Sequence, residues 1–150
     1  MLMRALRPSD REDVRTMLVE CRAFSEEEVR AALEIFDSGE YMLLGAEIDG
    51  RLAGYVCLDQ IALTQSTWYL FWLCVHPVLQ RRGIGAALVK HAVDFARSRG
   101  GERLVLETSG RPDYEGARRF YEKAGFQVVG RIADYYKASD DCLYYCKLIV

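Results

Sequence analysis

The sequence predicts an α/β (α+β) fold in which a mixed central β-sheet of about seven strands carries helices on both faces. The segment Thr67–Val75 is apolar on both alternating faces, as in a central strand that is covered on each side. Apolar residues after it recur at helical spacing, which predicts a helix packed on the sheet. Asp49-Gly50 separates two strand-like segments and is a strong hairpin signal.

Capping and turn residues define the elements of the first half of the chain. Ser9 and Ser25 are typical N-cap residues, and Glu26 and Glu27 suit the first turn of a helix. The Asp49-Gly50 dipeptide then joins two strands. These signals predict a strand over residues 2–7, helices over 10–20 and 26–36, and strands over 41–48, 52–63 and 67–75.

Apolar periodicity defines the second half. Ile84, Leu88, Ala92 and Phe95 predict a helix over residues 83–98. A second helical stripe, which Gly125 stops, and three apolar runs predict another helix and strands over 104–108, 126–132 and 142–149. The stripe consists of Ala117, Phe120, Tyr121 and Ala124. The element order β-α-α-β-β-β-α-β-α-β-β is that of a single domain over residues 1–150.

The cysteine and histidine content argues against a metal site. The five cysteines are odd in number, lie mostly among apolar neighbours and show no CxxC spacing, so we expect reduced core thiols. The two histidines, His76 and His91, form no ligand pair with a cysteine at familiar spacing. We therefore expect no metal.

The charge pattern and the apolar runs narrow the classes of partner. A net charge of −2 argues against a general nucleic-acid binder, although residues 71–150 hold 13 basic and 9 acidic side chains and suit an anionic ligand. The amino terminus lacks the apolar region of a signal peptide, and every apolar run is too short to span a bilayer. We expect a cytoplasmic protein without membrane or nucleic-acid partners.

A glycine-rich loop follows the central strand. Gln80-Arg81-Arg82-Gly83-Ile84-Gly85 lies where the predicted helix begins. Its glycines let the backbone approach an anion, and the first N–H groups of the helix point at that anion with the positive end of the helix dipole. The loop is typical of a pyrophosphate cradle; the alternative is a helix N-terminus with solvated arginines.

Two motifs together carry a family resemblance. Val75-His76-Pro77 precedes the glycine-rich loop, and Ala117-Arg118-Arg119-Phe120-Tyr121-Glu122-Lys123-Ala124-Gly125-Phe126 follows it at a distance. In their order and separation they resemble the GNAT superfamily of acyl-CoA-dependent N-acyltransferases, over nearly the whole chain. The segment Ala133-Asp134-Tyr135-Tyr136 is similar to the tail of many uncharacterised bacterial members.

The resemblance implies acetyl-CoA as the acyl donor. Main-chain N–H groups of the loop would hold the CoA pyrophosphate, and the edge of the preceding strand would pair with the pantetheine arm, where two parallel strands splay apart. Many family members carry Asn three residues before Ala117, where this chain has Tyr114. The implied cofactor-binding residues are Leu73, Cys74, Val75, Gln80, Arg81, Arg82, Gly83, Ile84, Gly85 and Ala86.

The resemblance also implies two catalytic residues. Glu107 resembles the strand carboxylate that ribosomal-protein N-terminal acetyltransferases use as a base; a structural ion pair or an exposed carboxylate is its alternative. Tyr121 matches the tyrosine that protonates the departing thiolate, and otherwise it belongs to the apolar stripe of the core. Asp134, Tyr135 and Tyr136 either receive a cationic amine on the acceptor side or form a polar hairpin turn.

We therefore expect an N-acetyltransferase that moves an acetyl group from acetyl-CoA directly to a primary amine on a small molecule, a lysine or a protein N-terminus. A noncatalytic acyl-CoA sensor or interaction module is the alternative. A nucleotide-binding domain is a third hypothesis, but the loop lacks the Lys-Ser/Thr ending of a P-loop. Family members often dimerise, so the resemblance also allows a homodimer.

Overall fold

A computed structural model describes all 150 residues. Its element order is the one that the sequence predicts. The strands are β1 (Leu2–Ala5), β2 (Met42–Ile48), β3 (Arg51–Gln60), β4 (Thr67–Val75), β5 (Arg103–Ser109), β6 (Gln127–Lys137) and β7 (Asp140–Leu148), and the helices are α1 (Arg11–Cys21), α2 (Glu26–Ser38), α3 (Ile84–Ser98) and α4 (Glu115–Lys123).

The seven strands form one mixed sheet in the order β1-β2-β3-β4-β5-β7-β6. Strands β4 and β5 pair in parallel, from Thr67 opposite Arg103 to Tyr69 opposite Val105. The pairs β1–β2, β2–β3, β5–β7 and β6–β7 are antiparallel. The seven strands, the four helices and the mixed pairing confirm the predicted fold class.

Contacts between Cα atoms group the chain into two compact units. The first consists of Met1–Asp59 and Phe71–Phe95, and the second of Gln60–Leu70 and Ala96–Val150. A single domain over residues 1–150 stays a prediction. No helix of the structure is both long and apolar enough to cross a membrane.

The core of the first unit packs helices α1 and α2 with residues of β3 and β4. Val14, Met17 and Leu18 from α1 are fully buried and cluster with Ala32 and Tyr55. On α3, Ile84, Leu88 and Ala92 are buried, as their helical spacing predicts. In the second unit, buried residues include Leu104, Leu106, Phe126, Tyr145 and Ile149.

Of the two predicted N-caps, Ser25 is confirmed and Ser9 is wrong. Ser25 accepts a hydrogen bond from the Glu28 N–H at 3.1 Å, and the Glu28 side chain accepts one from the Ser25 N–H, so α2 begins with a capping box. Ser9 is not a cap. Pro8 begins a short 3-10 turn there, and the Asp10 carboxylate accepts the Arg7 N–H at 2.6 Å. Helix α1 therefore begins at Arg11.

Three predicted strand ends are wrong. Strand β1 ends at Ala5, and β3 ends at Gln60, because Leu63 lies fully exposed in a turn with φ of 68°. Strand β6 continues to Lys137 instead of ending at residue 132, and its register against β7 shifts between Ile132 and Lys137. A β-bulge of this kind interrupts the alternation by which a strand is recognised in sequence.

Candidate functional site

The segment of residues 80–86, which follows β4 and includes the first residues of α3, has the backbone geometry of an anion-binding turn. We call it the cradle loop. Gly83 has φ of 82° and Arg81 has φ of 63°, so both lie in the left-handed region that glycine tolerates best. A Cβ atom at Gly83 would meet no neighbour within 4 Å, so the space beside this backbone is open.

The first main-chain N–H groups of α3 have no acceptor within the helix. The first helical hydrogen bond runs from the Ala87 N–H to the Gly83 carbonyl at 3.0 Å. The N–H groups of Ile84, Gly85 and Ala86 precede it and have no acceptor within the helix. Arg81 and Arg82 are exposed beside them. These donors and charges fit the pyrophosphate of a CoA molecule.

The Gln80 side chain fastens the cradle loop to the end of β4. Its Nε2 donates to the Val75 carbonyl at 3.2 Å and to the Cys21 Sγ at 3.8 Å. Gln80 therefore orders the loop through β4 and α1. These hydrogen bonds are to the protein itself, so a contact between Gln80 and the cofactor stays a prediction.

The end of β4 is packed closely against β3. A Cβ atom at Gly54 would lie 2.9 Å from the Cys74 carbonyl oxygen and 3.3 Å from the Val75 Cα. Only glycine allows this approach, which fixes the backbone of two predicted cofactor-binding residues. Cys74 is 2% exposed, in agreement with its interpretation as a core thiol. Leu73 beside it is half-buried.

Glu107, the predicted base, lies in a cluster of hydrogen-bond donors in the second unit. We call Tyr69, Glu107, Tyr136 and Cys142 the Glu107 cluster. The Tyr69 hydroxyl donates to Glu107 Oε1 at 2.5 Å, and the Tyr136 hydroxyl donates to Oε2 at 2.8 Å. The Cys142 thiol donates to Oε2 at 3.4 Å. A carboxylate offers about four acceptor positions, so Oε1 retains room for a further donor.

Burial keeps these donors protonated. It raises the pKa of the Tyr69 hydroxyl and that of the Tyr136 hydroxyl well above their usual range, and the hydrogen bonds to Glu107 add to both shifts. Burial likewise raises the pKa of the Cys142 thiol. At neutral pH all three groups therefore donate hydrogen bonds to the carboxylate and hold it in one position.

Tyr121, the predicted acid, lies on α4 between two aromatic rings. Its ring centroid is 5.2 Å from that of Phe120 and 5.8 Å from that of Phe126, with edge-to-face geometry in both pairs. Burial alone raises the pKa of Tyr121 to about 12. The hydroxyl is thus fully protonated at neutral pH, which is the form that a proton donor needs.

The predicted acceptor-side residues separate into two groups. Tyr136 contacts Glu107, and its ring is packed edge-to-face against Tyr135 at 5.0 Å. Asp134, in contrast, is held within the β6–β7 hairpin: its Oδ1 accepts the Ser139 N–H at 2.7 Å, and its own N–H donates to Asp141 at 3.0 Å. The contacts of Asp134 favour the hairpin interpretation for that residue.

His76 and Tyr114 also have defined places. His76 follows β4, where its N–H donates to the Ala53 carbonyl at 2.8 Å and its Nε2 lies 3.1 Å from Glu20, so it shapes the end of the strand. Tyr114, which stands where many family members have Asn, ends a 3-10 turn and is the N-cap residue of α4. Its side chain makes no capping hydrogen bond.

Sequence reasoning missed Tyr69 and Cys142 as partners of Glu107. The parallel pairing places Tyr69 opposite Val105, two residues before Glu107, so the two side chains share a face of the sheet. Alternation in each strand is visible in the sequence. The register between the strands is not, and it alone brings the hydroxyl to the carboxylate.

A model of the acetyltransferase (GNAT) family matches residues 11–126. The chain belongs to the GNAT acetyltransferase family. The expected family, fold and enzyme class, acyl-CoA-dependent N-acyltransferase, are confirmed.

Individual GNAT relatives match at different levels. The N-alpha-acetyltransferase RimI of Mycobacterium tuberculosis is 36% identical over 97 residues, which are 64% of this chain and 58% of the relative. The chain thus spans less than two thirds of that relative's length. A GNAT-family acetyltransferase structure from Desulfovibrio desulfuricans is 33% identical, with a TM-score of 0.96 over 99% of both chains.

The fold is also that of a protein solved with coenzyme A. The aminoglycoside 6'-N-acetyltransferase complexed with coenzyme A has a TM-score of 0.81 over 100% of this chain and 98% of its own. At 20% identity, this likeness shows the fold alone.

Proposed function

We propose that this GNAT protein transfers an acetyl group from acetyl-CoA directly to a primary amine of its acceptor. The observation that carries the proposal is the cradle loop, in which left-handed Gly83 precedes the free N–H groups of Ile84, Gly85 and Ala86. This arrangement suits a pyrophosphate, and membership of an acetyltransferase family supports CoA as the molecule that supplies it.

Donor binding rests on the first unit. The N–H groups at the start of α3 bind the pyrophosphate, and Arg81 and Arg82 add positive charge beside it. Gln80 holds the loop to the Val75 carbonyl, so the donors keep their positions before the ligand arrives. Such preorganisation lowers the entropic cost of binding. The bound thioester supplies an activated acyl carbon to the amine.

Glu107 is the proposed general base. A lysine amine has a pKa of about 10.4 and a peptide α-amino group one of about 7.7 to 8.0, so either is mostly protonated at neutral pH, and a proton must leave before the nitrogen can attack. The Glu107 carboxylate, held by Tyr69 and Tyr136, accepts that proton directly or through a water molecule. The unused acceptor position on Oε1 is where the donor can approach.

Tyr121 is the proposed general acid. Its pKa of about 12 keeps the proton on the phenol until a stronger base than water develops nearby. The departing thiolate is such a base, since a thiol has a pKa of about 8.5. Transfer to it is uphill by roughly three to four pKa units. It takes place as the thiolate leaves and not before, because the sulfur of the intact thioester is a far weaker base.

The acceptor proposed first is a free α-amino group of a peptide or protein. The Mycobacterium tuberculosis relative bears the name N-alpha-acetyltransferase, and it matches 64% of this chain. The Tyr135–Tyr136 ring pair next to Glu107 supplies a surface on which a cationic amine can rest before it loses its proton.

Thermal unfolding with acetyl-CoA, free CoA and ATP tests donor binding. A ligand at a hundred times its dissociation constant adds about 2.7 kcal/mol, which raises the midpoint by about 5 to 10 °C. We expect shifts with acetyl-CoA and CoA but not with ATP. A shift with ATP alone would favour the nucleotide-binding hypothesis.

CoA release then tests the chemistry. The protein is mixed with acetyl-CoA and a short lysine-containing peptide whose α-amine is either free or already acetylated. Release with the free peptide only supports an α-amino acceptor, and release with both indicates lysine. Binding of acetyl-CoA without release with any peptide, polyamine or aminoglycoside would leave the noncatalytic acyl-CoA sensor.

A further inference from the structure

Two thiols meet beside the cradle loop. Cys21 is the last residue of α1 and Cys74 lies on β4, and their Sγ atoms are 3.4 Å apart. A disulfide bond has an S–S distance of about 2.05 Å. One sulfur therefore needs to move by little more than 1 Å to form it.

The two sulfurs differ in access and in protonation. Cys21 is half-buried, whereas Cys74 is 2% exposed. The hydrogen bond from the Cys74 thiol lowers the pKa of Cys21. The same hydrogen bond, together with burial, raises the pKa of Cys74. Cys21 is thus the accessible thiolate, and Cys74 is the thiol in contact with it.

We propose that Cys21 and Cys74 are a redox modification site, at which a peroxide produces a reversible disulfide that loosens the cradle loop.

The chemistry balances with a peroxide as the oxidant. The Cys21 thiolate attacks one peroxide oxygen, the O–O bond breaks, and a sulfenic acid and a hydroxide ion form. The sulfur of Cys74 then attacks the Cys21 sulfur, an S–S bond forms, and the sulfenic oxygen leaves as water with the thiol proton. The two thiols lose two electrons and two protons, and hydrogen peroxide becomes two molecules of water.

Disulfide formation acts on the cradle loop through the hydrogen bonds of Gln80 and Cys21. As a thiol, reduced Cys21 donates from Sγ to the Val75 carbonyl at 3.6 Å, and as thiol or thiolate it accepts from Gln80 Nε2 at 3.8 Å. The disulfide removes the thiol proton and draws this sulfur toward Cys74. Gln80 then loses one of the two partners that fasten the cradle loop to β4 and α1.

The end of α1 can follow the movement. Arg22, the residue after Cys21, has φ of 55° and leaves the helix, and its N–H makes a long hydrogen bond of 3.4 Å to Val19. Cys74 lies in a strand that Gly54 holds at close range. The motion therefore falls on the Cys21 side.

The test compares full-length wild type with Cys21→Ser and Cys146→Ser after treatment with hydrogen peroxide. Cys146 is also half-buried and is the matched control. Intact mass, thiol titration and peptide mapping follow the link, and calorimetry measures the dissociation constant of acetyl-CoA before oxidation, after it, and after dithiothreitol.

We expect wild type and Cys146→Ser to lose two thiols and two hydrogens, with the Cys21 peptide joined to the Cys74 peptide, and dithiothreitol to reverse this. The Cys21→Ser variant keeps all its remaining thiols. Oxidation raises the acetyl-CoA dissociation constant of wild type about tenfold, the effect of losing one ordering hydrogen-bond network.

A link between other cysteines, or oxidation of Cys21 to sulfinic acid without a link, overturns the site. A mapped Cys21–Cys74 link with unchanged affinity overturns the effect on the loop. The affinity readout rests on the proposed function, but the mapped link does not. Reduced protein that fails to bind acetyl-CoA therefore refutes the proposed function and leaves the modification site standing.

Discussion

The Tyr69 hydroxyl donates a hydrogen bond of 2.5 Å to Oε1 of Glu107, across 38 residues of sequence and from the adjacent parallel strand. Tyr136 donates to the other carboxylate oxygen at 2.8 Å. The carboxylate is therefore fixed from both sides by groups that keep their protons at neutral pH. A base that must meet one particular amine proton needs such fixed placement.

Replacing Glu107 tests the proposed base. We expect Glu107→Gln to lower kcat by about 10²- to 10⁴-fold, because the amide cannot accept the amine proton. The acetyl-CoA dissociation constant should not change, because the amide keeps the size of the carboxylate and the proposed donor contacts are those of the cradle loop. Steady-state kinetics and calorimetry measure the two quantities separately.

The matched control for this prediction is Glu122→Gln. Glu122 lies in the same unit and also accepts a tyrosine hydroxyl, that of Tyr145 at 3.3 Å. The kcat of Glu122→Gln should stay close to that of wild type. Equal losses in the two variants would indicate that Glu107 has a structural role only.

Replacing Tyr121 tests the proposed acid. We expect Tyr121→Phe to lower kcat by about 10- to 10²-fold at an unchanged acetyl-CoA dissociation constant. The ring contacts with Phe120 and Phe126 do not need the hydroxyl, so the melting temperature should not fall. Burial raises the pKa of Tyr121 to about 12, so the hydroxyl loses its proton only near that pH. Deprotonation of Tyr121 should therefore cause no fall in kcat below about pH 11.

Tyr41→Phe is the control for this substitution, since Tyr41 also packs edge-to-face against a phenylalanine, Phe71 at 5.2 Å. It should leave kcat unchanged. A large rise in the acetyl-CoA dissociation constant of Tyr121→Phe would assign the hydroxyl to binding rather than to proton transfer.

The backbone of the cradle loop gives a third prediction. Gly83→Ala should weaken acetyl-CoA binding by at least about tenfold, because a side chain disfavours φ of 82° and the loop shifts away from that geometry. Calorimetry with acetyl-CoA measures the loss.

Gly39→Ala is a matched control for the strain. Gly39 ends α2 with φ of 66°, and a Cβ atom there also meets nothing within 4 Å. Both variants should lose a similar amount of stability, of about 1 kcal/mol. Retention of acetyl-CoA affinity in Gly83→Ala would remove the loop from the binding site.

Element order and family were predictable because they depend on local patterns. Helical spacing located Ile84, Leu88 and Ala92, and the glycine spacing located the cradle loop. Of the Glu107 cluster, the sequence predicted Glu107 and Tyr136 as site residues but not Tyr69 or Cys142. The Tyr69 contact depends on the strand register between β4 and β5, which the sequence does not reveal. The full length of β6 was hidden by its bulge, where Asp134 has φ of 53°.

The Cys21 thiol gives a prediction about reactivity. The hydrogen bond from Cys74 lowers the pKa of this thiol, so the rate of its alkylation by iodoacetamide should reach half its maximum at a lower pH than that of an ordinary thiol, which has a pKa of about 8.5. In Cys74→Ala the donor is gone, and that midpoint should rise toward about pH 8.5. Mass spectrometry of the Cys21 peptide measures the rate, with the Cys146 peptide as an internal reference. An unchanged midpoint in Cys74→Ala would show that Cys74 does not stabilise the thiolate.

A buried ion pair in the first unit gives a prediction about stability. The Asp10 carboxylate is nearly buried and accepts from Arg4 Nη1 at 2.8 Å, from Arg4 Nη2 at 2.9 Å and from the Arg7 N–H at 2.6 Å. We expect Asp10→Asn to lower the free energy of unfolding by about 2 to 4 kcal/mol at pH 7, because Arg4 then keeps Glu47 as its one charged partner. Urea unfolding measures the loss.

The pH dependence of this loss follows from the direction of the pKa shift. The Arg4 hydrogen bonds hold the pKa of Asp10 below its ordinary value of 3.8, so folding favours the ionised form. The stabilisation is complete above about pH 5 and disappears as the pH falls through the lower pKa of the folded state. The difference between wild type and Asp10→Asn should therefore be constant from about pH 5 to pH 8 and shrink below about pH 4. Arg11 also lowers the pKa of Asp37, but that pair is exposed and screened by solvent, so Asp37→Asn should show a much smaller pH-dependent difference than Asp10→Asn.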